Sequence, residues 1–207
     1  MRKPVFVTGI GTGVGKTLLS GIIVEKLKAD YWKPIQSGDL DQSDTITLQS
    51  LISNPKTVFH SETYRLTQPY SPHKSARIDQ ITIDLDKFTV PETKNQLVIE
   101  GAGGLMVPLN DTALIIDLIK KLDAEVVLVS RNYLGSINHT LLSVELLKKR
   151  NIPIKGIIFN GNEDKDTEEY ILDYTQLNCV GRVPEIEALN KEIIREMGAL
   201  LSLHDYE

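Results

Sequence analysis

"VTGIGTGVGKT", Val7 to Thr17, decides how this chain folds. The apolar run PVFVTG (Pro4–Gly9) leads into it and reads as a buried strand. KTLLSGIIVEKLKAD follows, a helical pattern with Leu18, Leu19, Ile22, Ile23 and Leu27 along one face. A glycine-rich turn between strand and helix, ending in Gly-Lys-Thr, is the setting of a phosphate-binding loop. The standard spacing places four residues between the first glycine and the Gly-Lys-Thr. Here five separate Gly9 from Gly15. Gly9, Gly11, Gly13 and Gly15 free the backbone to turn successive N–H groups inward, which makes an anion-binding nest. The helix N-terminus at Gly15 adds its dipole. From this loop Lys16 reaches β- and γ-phosphates, and the Thr17 hydroxyl is placed to hold Mg²⁺.

Outward from the loop, short aliphatic strands alternate with helical patterns. ADYWKP gives a second strand, stopped by Pro34. LVIEG (Leu97–Gly101), EVVLVS (Glu125–Ser130) and IPIKGIIFN (Ile152–Asn160) are further strands without polar alternation, as expected when both faces are covered. TALIIDLIKKL reads as a helix, and so does INHTLLSVELLKKR, with Ile137, Leu141, Val144 and Leu147 on its stripe. Asp164–Tyr174 and the tail from Glu187 are also helical, and NCVGRVP is a last edge strand. The pattern predicts a three-layer α/β/α domain with a mostly parallel central sheet. Ser53–Thr93, less regular, reads as an excursion over one end of the sheet. All 207 residues form a single ATP-binding domain in this reading.

A formal net charge of −5 argues against a general nucleic-acid binder, which carries a basic face. No apolar run nears the roughly 18 residues that span a membrane, and no signal peptide is visible, so the expected location is the cytoplasm. The single cysteine, Cys179, excludes an intrachain disulfide and a zinc site built on cysteines, and is expected to be buried. His60, His73, His139 and His204 are too scattered for a metal cluster.

Ligands of such sheets sit beyond the carboxyl ends of the strands. Glu100 ends an apolar strand there and is a candidate for Mg²⁺ or its water. Gly101, Gly103 and Gly104 follow, a second place where backbone approaches a ligand closely. Lys33 ends the second strand, with Ser37 and Gly38 just after it; taken alone it reads as a surface lysine near a turn, while in the crevice reading it would point toward Lys16. Asp44 falls at a helix start, where an acid is favoured in any case. Gly135-Ser136 opens another helix, whose N–H groups suit a carboxylate.

Taken in order, TGIGTGVGKT, KPIQSG, SDT, SPHKSA, IEGAGGLMVPL, NYLGSINH, FNGN and GRVPEI resemble the dethiobiotin synthetase family of P-loop proteins from about Val5 to Ile186. The longer glycine spacing is what that resemblance leads one to expect. It implies an ATP-dependent cyclo-ligase of biotin biosynthesis. The substrates would be 7,8-diaminopelargonic acid and CO₂, joined through a carbamate and a carbamic–phosphoric anhydride to give dethiobiotin, ADP and phosphate. Lys16, Lys33, Thr12 and Ser37 would serve the chemistry, with Thr12 donating to the γ-phosphate and Ser37 near the carbamate. Gly13, Val14, Gly15, Lys16, Thr17, Leu18, Asp44, Glu100, Gly101, Ala102 and Gly103 would hold MgATP. Thr17, Asp44 and Glu100 would be the metal ligands. Asn160, Pro184 and Glu185 would meet the base. The family often carries a charged residue where this chain has Gly161, which leaves nucleotide preference open. The substrate's far carboxylate would bind Leu134, Gly135, Ser136, Ile137 and Asn138 of a neighbouring subunit, which implies a homodimer.

Two rival classes share the broad fold. A cobyrinic-acid-type amidoligase needs an ammonia source, and the chain has little length left for a glutaminase domain. A ParA/MinD-like ATPase switch carries a lysine five residues before the loop lysine, where this chain has Gly11.

Overall fold

The structure is a computed structural model that describes residues 2–203; His204 lies outside the described residues. Seven strands, all paired in parallel, form the central sheet. They are β1 (Val5–Gly9), β2 (Asp30–Trp32), β4 (Phe59–His60), β6 (Leu97–Glu100), β7 (Glu125–Arg131), β8 (Ile154–Asn160) and β9 (Cys179–Val183), in the spatial order β4-β2-β6-β1-β7-β8-β9. Two more, β3 (Ile35–Ser37) and β5 (Tyr64–Leu66), make a small parallel pair beside it.

Alternation along β1 shows why three layers form. Val5 and Val7 face one core, with α1 (Lys16–Leu27), α2 (Asp44–Leu51) and α7 (Lys191–Gly198). Phe6 faces the other, with α4 (Ile115–Lys121), α5 (Ser136–Lys149) and α6 (Lys165–Thr175). Successive strand side chains point to opposite faces, so a strand covered on both must be apolar throughout. The short α3 (Pro72–Ile78) packs on β3 and β5.

Three helix starts follow side-chain caps. Ser43 Oγ accepts from the Ile46 N–H, Asp164 Oδ1 from Thr167 and Asn190 Oδ1 from Ile193. Asn190 explains why the last helix begins later than Glu187. Three further expectations are corrected. The buried stripe of α5 is Ser136, Thr140, Val144 and Leu147, because Thr140 bonds the Ser136 carbonyl and reaches Ser130. Ile137 and Leu141 are only half-buried. The Ser53–Thr93 excursion contributes β4 to one edge of the central sheet, where Phe59 packs on Tyr31. Cys179 is exposed, since it opens the edge strand β9.

One buried acid ties two segments of the chain together. Glu25, buried on α1, accepts from the N–H and hydroxyl of Ser53 and from the backbone and amide N–H of Asn54. Burial pushes its carboxyl up, but these donors outweigh burial and hold it below its usual value. Lowered in the fold, it stabilises the protein above its unfolded pKa and ceases to as pH falls through the folded one. Glu25→Gln turns an amide N–H toward these donors. It is expected to cost about 1–3 kcal/mol in urea unfolding at neutral pH, and the gap to wild type should close in acid, below the usual carboxylate pKa. A gap unchanged in acid would show that the charge is not what binds the two segments.

Candidate active site

The phosphate loop spans β1 to α1. Gly13 and Gly15 have φ of 73° and 95°, in the left-handed region that favours glycine. A side chain on Gly15 would also strike Asn160, whose Nδ2 donates to the Val14 carbonyl at 2.9 Å. The longer loop is accommodated by folding Val14 inward, against Gly9. Lys16 Nζ curls back to the Gly11 carbonyl at 2.9 Å. Burial lowers its ammonium to about 8; Glu100 opposes that shift and Lys33 adds to it.

Strand register supplies the second cation. In the β2–β6 ladder Trp32 lies opposite Ile99, so the next pair along is Lys33 and Glu100. Lys33 Nζ donates to Glu100 Oε1 at 2.9 Å and is also bonded to Asp44 Oδ2. Glu100 Oε1 accepts a second bond, at 2.8 Å, from Thr17 Oγ1, and Glu100 Oε2 accepts from Tyr31 at 2.8 Å. Burial alone would lower the Lys33 pKa, but the two carboxylates hold it above its usual value. Burial would raise Asp44, and the Lys33 ammonium holds it low.

These groups line one cavity of about 590 Å³. Thr12, Gly13, Gly15, Lys16, Thr17, Lys33, Ser37, Asp44, Glu100, Gly101, Ala102 and Gly103 all border it. The Ser37 hydroxyl is buried without a hydrogen-bond partner. Gly103 abuts Val107, and Gly104 approaches the Gly9 carbonyl, so the two glycine-rich loops lean on each other. Val14 lies beneath the loop and Leu18 is half-buried on α1. Pro184 and Glu185 are exposed past β9, where Glu185 pairs with Arg131 at 2.8 Å. Leu134–Asn138 open α5 and do not border this cavity; Leu134 is fully exposed.

Sequence reasoning missed the wall formed by Tyr70, Ser71 and Pro72, and the Tyr31 hydroxyl. Tyr31 had a signal: two residues before Lys33, it points to the same face of the strand.

A strand–glycine loop–helix unit with a lysine, a hydroxyl and two carboxylates at the sheet's carboxyl end defines a P-loop nucleotide-binding protein of the α/β/α class. Residues 3–193 match the family described as "AAA domain". The ATP-dependent dethiobiotin synthetase BioD of Christiangramia forsetii is 52% identical over 196 residues, 95% of this chain and 94% of that one. The enzyme of the same name from Cytophaga hutchinsonii is 46% identical over 206 residues, 99% and 100% of the two chains. The chain belongs to the ATP-dependent dethiobiotin synthetase family.

Solved structures share the fold at low identity. A ParA family ATPase from Chlorobium tepidum superposes with a TM-score of 0.55 at 15% identity, covering 96% of this chain and 98% of that one. The MinC:MinD complex of Aquifex aeolicus gives 0.60 at 14%, covering 94% and 86%. The likeness is one of architecture, shared by the ATPase-switch class raised above.

Lys16 is an ammonium only below about pH 8 in the ligand-free site. ADP binding, followed by calorimetry, is therefore expected to weaken as pH rises past about 8, where the amine must first be protonated. Lys16→Met should bind weakly, without that slope. Equal slopes in both proteins would remove Lys16 as the titrating group.

Proposed function

We propose that this cavity closes the ureido ring of dethiobiotin from 7,8-diaminopelargonic acid, CO₂ and ATP. Membership of the family makes the chain an ATP-dependent ligase of biotin biosynthesis. The observation that carries the site reading is that Lys16, at the start of α1, and Lys33, just past β2, enter one cavity with Thr17, Asp44 and Glu100.

CO₂ first adds to one of the two neighbouring amines and gives a carbamate. A carbamate oxygen attacks the γ-phosphorus of ATP, ADP leaves, and a carbamic–phosphoric anhydride forms. The second amine attacks the anhydride carbonyl and expels phosphate, closing the ring. Phosphoryl transfer of this kind asks for positioning and charge stabilisation. Lys16 and the turned-in N–H groups of Gly13 and Gly15 hold the β- and γ-phosphates, and Thr12 donates to the γ-phosphate. Lys33 stabilises the carbamate as it approaches and the phosphate as it departs. The unpartnered Ser37 hydroxyl offers the carbamate a donor. Gly101, Ala102 and Gly103 form the facing wall, and Asn160, Pro184 and Glu185 meet the base.

Charge supports a divalent ion. Two ammonium groups line the cavity, Lys16 and Lys33, against three carboxylates, Asp39, Asp44 and Glu100. A triphosphate and a carbamate cannot settle there on side-chain charge alone. Thr17, Asp44 and Glu100 offer oxygen ligands only, which suits Mg²⁺ with phosphate oxygens completing its shell. Among the described residues no cluster of three or more His, Cys, Asp or Glu forms a rival metal site. When bound, the ion neutralises β- and γ-phosphate charge.

The protein acts in the cytoplasm as a homodimer. Among the described residues no helix is long and apolar enough to cross a membrane. Leu134 and Leu142 expose apolar side chains at and near the start of α5, a face suited to a second copy. From that copy Leu134, Gly135, Ser136, Ile137 and Asn138 receive the substrate's carboxylate.

Incubation with diaminopelargonate, bicarbonate and MgATP should yield dethiobiotin by mass spectrometry; ATP consumption without it would end this reading. Lys33→Gln is expected to lower turnover by roughly 10²–10³-fold while ATP still binds. Lost binding with normal turnover would contradict the role of Lys33. In dimers mixed from Lys16→Ala and Asn138→Asp proteins, each inactive alone, one of the two sites is intact and activity should reappear. Mixed dimers that stay inactive would count against shared sites.

A further inference from the structure

Tyr31 carries a hydroxyl that neither the motifs nor the proposed reaction use. Its ring is wholly buried in β2 and tilts against Phe59, with centroids 5.8 Å apart. A phenylalanine would satisfy that packing. The extra oxygen needs a partner inside the sheet, and the partner is Glu100 Oε2 at 2.8 Å. The other oxygen, Oε1, accepts from Thr17 and Lys33 at the cavity wall. The two halves of this carboxylate are therefore committed differently: Oε2 to a phenol in the interior, Oε1 to the place where cationic groups gather.

We propose that Tyr31 is a positioning residue that restricts Glu100 to one-oxygen coordination and thereby sets a preference for Mg²⁺ over Ca²⁺. The inference rests on the reading of Glu100 as a metal ligand. Mg²⁺ demands short bonds in near-ideal octahedral geometry and takes one or two carboxylates beside phosphates and waters. Ca²⁺ is larger, tolerates irregular shells and accepts both oxygens of one carboxylate. For Glu100 to chelate in that way Oε2 must turn from the interior toward the ion, which bends or breaks its bond from the buried Tyr31 hydroxyl. Tyr31 cannot swing out to water, because it is enclosed between sheet and helix in the core that contains Leu48 and Val98. Outer partners that orient a ligand in this manner typically govern metal affinity by about 10- to 100-fold.

The test is calorimetric titration of Mg²⁺ and, separately, Ca²⁺ into ADP-saturated protein. Wild type, Tyr31→Phe, Glu100→Gln and the double variant are compared. Tyr31→Phe is expected to weaken Mg²⁺ about 10- to 100-fold and Ca²⁺ much less, with ADP affinity in EDTA unchanged. In the Glu100→Gln background the second substitution should add nothing, since Tyr31 acts only through that carboxylate. Equal losses for both ions, or an effect of Tyr31→Phe that persists without the Glu100 carboxylate, would mean a merely structural role and overturn the proposal. If Glu100→Gln weakens Mg²⁺ but Tyr31→Phe does not, the lock alone fails. If Glu100→Gln leaves Mg²⁺ binding intact, the ligand reading fails and the proposal with it. Wild type alone gives a result that needs no variant to fold: Ca²⁺ bound as tightly as Mg²⁺, or more tightly, would overturn the preference.

Discussion

An ammonium held between two carboxylates organises this protein. Lys33 is almost fully buried, and a buried charge without partners is costly by several kcal/mol. Its partners come from separate elements, Asp44 from the first turn of α2 and Glu100 from the end of β6. Parallel pairing of β2 with β6 brings Lys33 beside Glu100. Thr17 and Tyr31 then occupy the remaining sides of Glu100, so the first turn of α1 and the interior of β2 are tied to the same acid. Removing Lys33 would leave Glu100 buried without its counterion. The site is therefore also a structural junction, where four elements and a cavity wall meet.

Much of this was legible in the sequence because it follows from periodicity and from residues with unusual backbone or chemical demands. The aliphatic strands, the glycine loop and the acid at the end of LVIEG each sit where elementary rules place them. Lys33 was legible as a cation near the crevice, but its coupling to Glu100 depends on β2 lying next to β6, a neighbour distant in sequence. Tyr31 was hidden for a related reason: an aromatic in a buried strand reads as core, and only the register shows what its hydroxyl meets. The α5 stripe was misplaced because Ser136 and Thr140 are polar. Thr140 is buried through bonds to the Ser136 carbonyl and to Ser130, which hydrophobic periodicity does not register. Two residues of β4 were too few to show a pattern, and Cys179 followed its edge position instead of its average habit.

Nucleotide loops must be open to ligand yet fixed in shape, and this one is held from two sides. Below it, Asn160 at the end of β8 bonds the Val14 carbonyl. Above it, Gly104 packs near the Gly9 carbonyl, at a distance any larger residue would disturb. The loop's N–H groups are thus preorganised by β8 and by the segment after β6, not by the loop's own sequence alone. The same two flanking segments carry candidate contacts to base and phosphate. A change at Asn160 would for this reason alter loop geometry, whatever it does to the base contact proposed for it.

Charge balance bears on how the proposed substrates would enter the site. With no ligand present, Lys33 is held by Asp44 and Glu100, and Lys16 rests on a backbone carbonyl. The lining carries more negative than positive groups, so an anion entering alone meets net repulsion. A polyphosphate that arrives with its divalent ion carries less net negative charge and meets less repulsion, and in the proposed reading the ion would compete with Lys33 for the same carboxylate oxygens. An ion held by Asp44 and Glu100 would draw those carboxylates from Lys33 and leave the ammonium's hydrogen bonds for another anion. The carbamate is that anion in the proposed reaction. In that reading, loading the nucleotide would prepare the group that the second substrate needs.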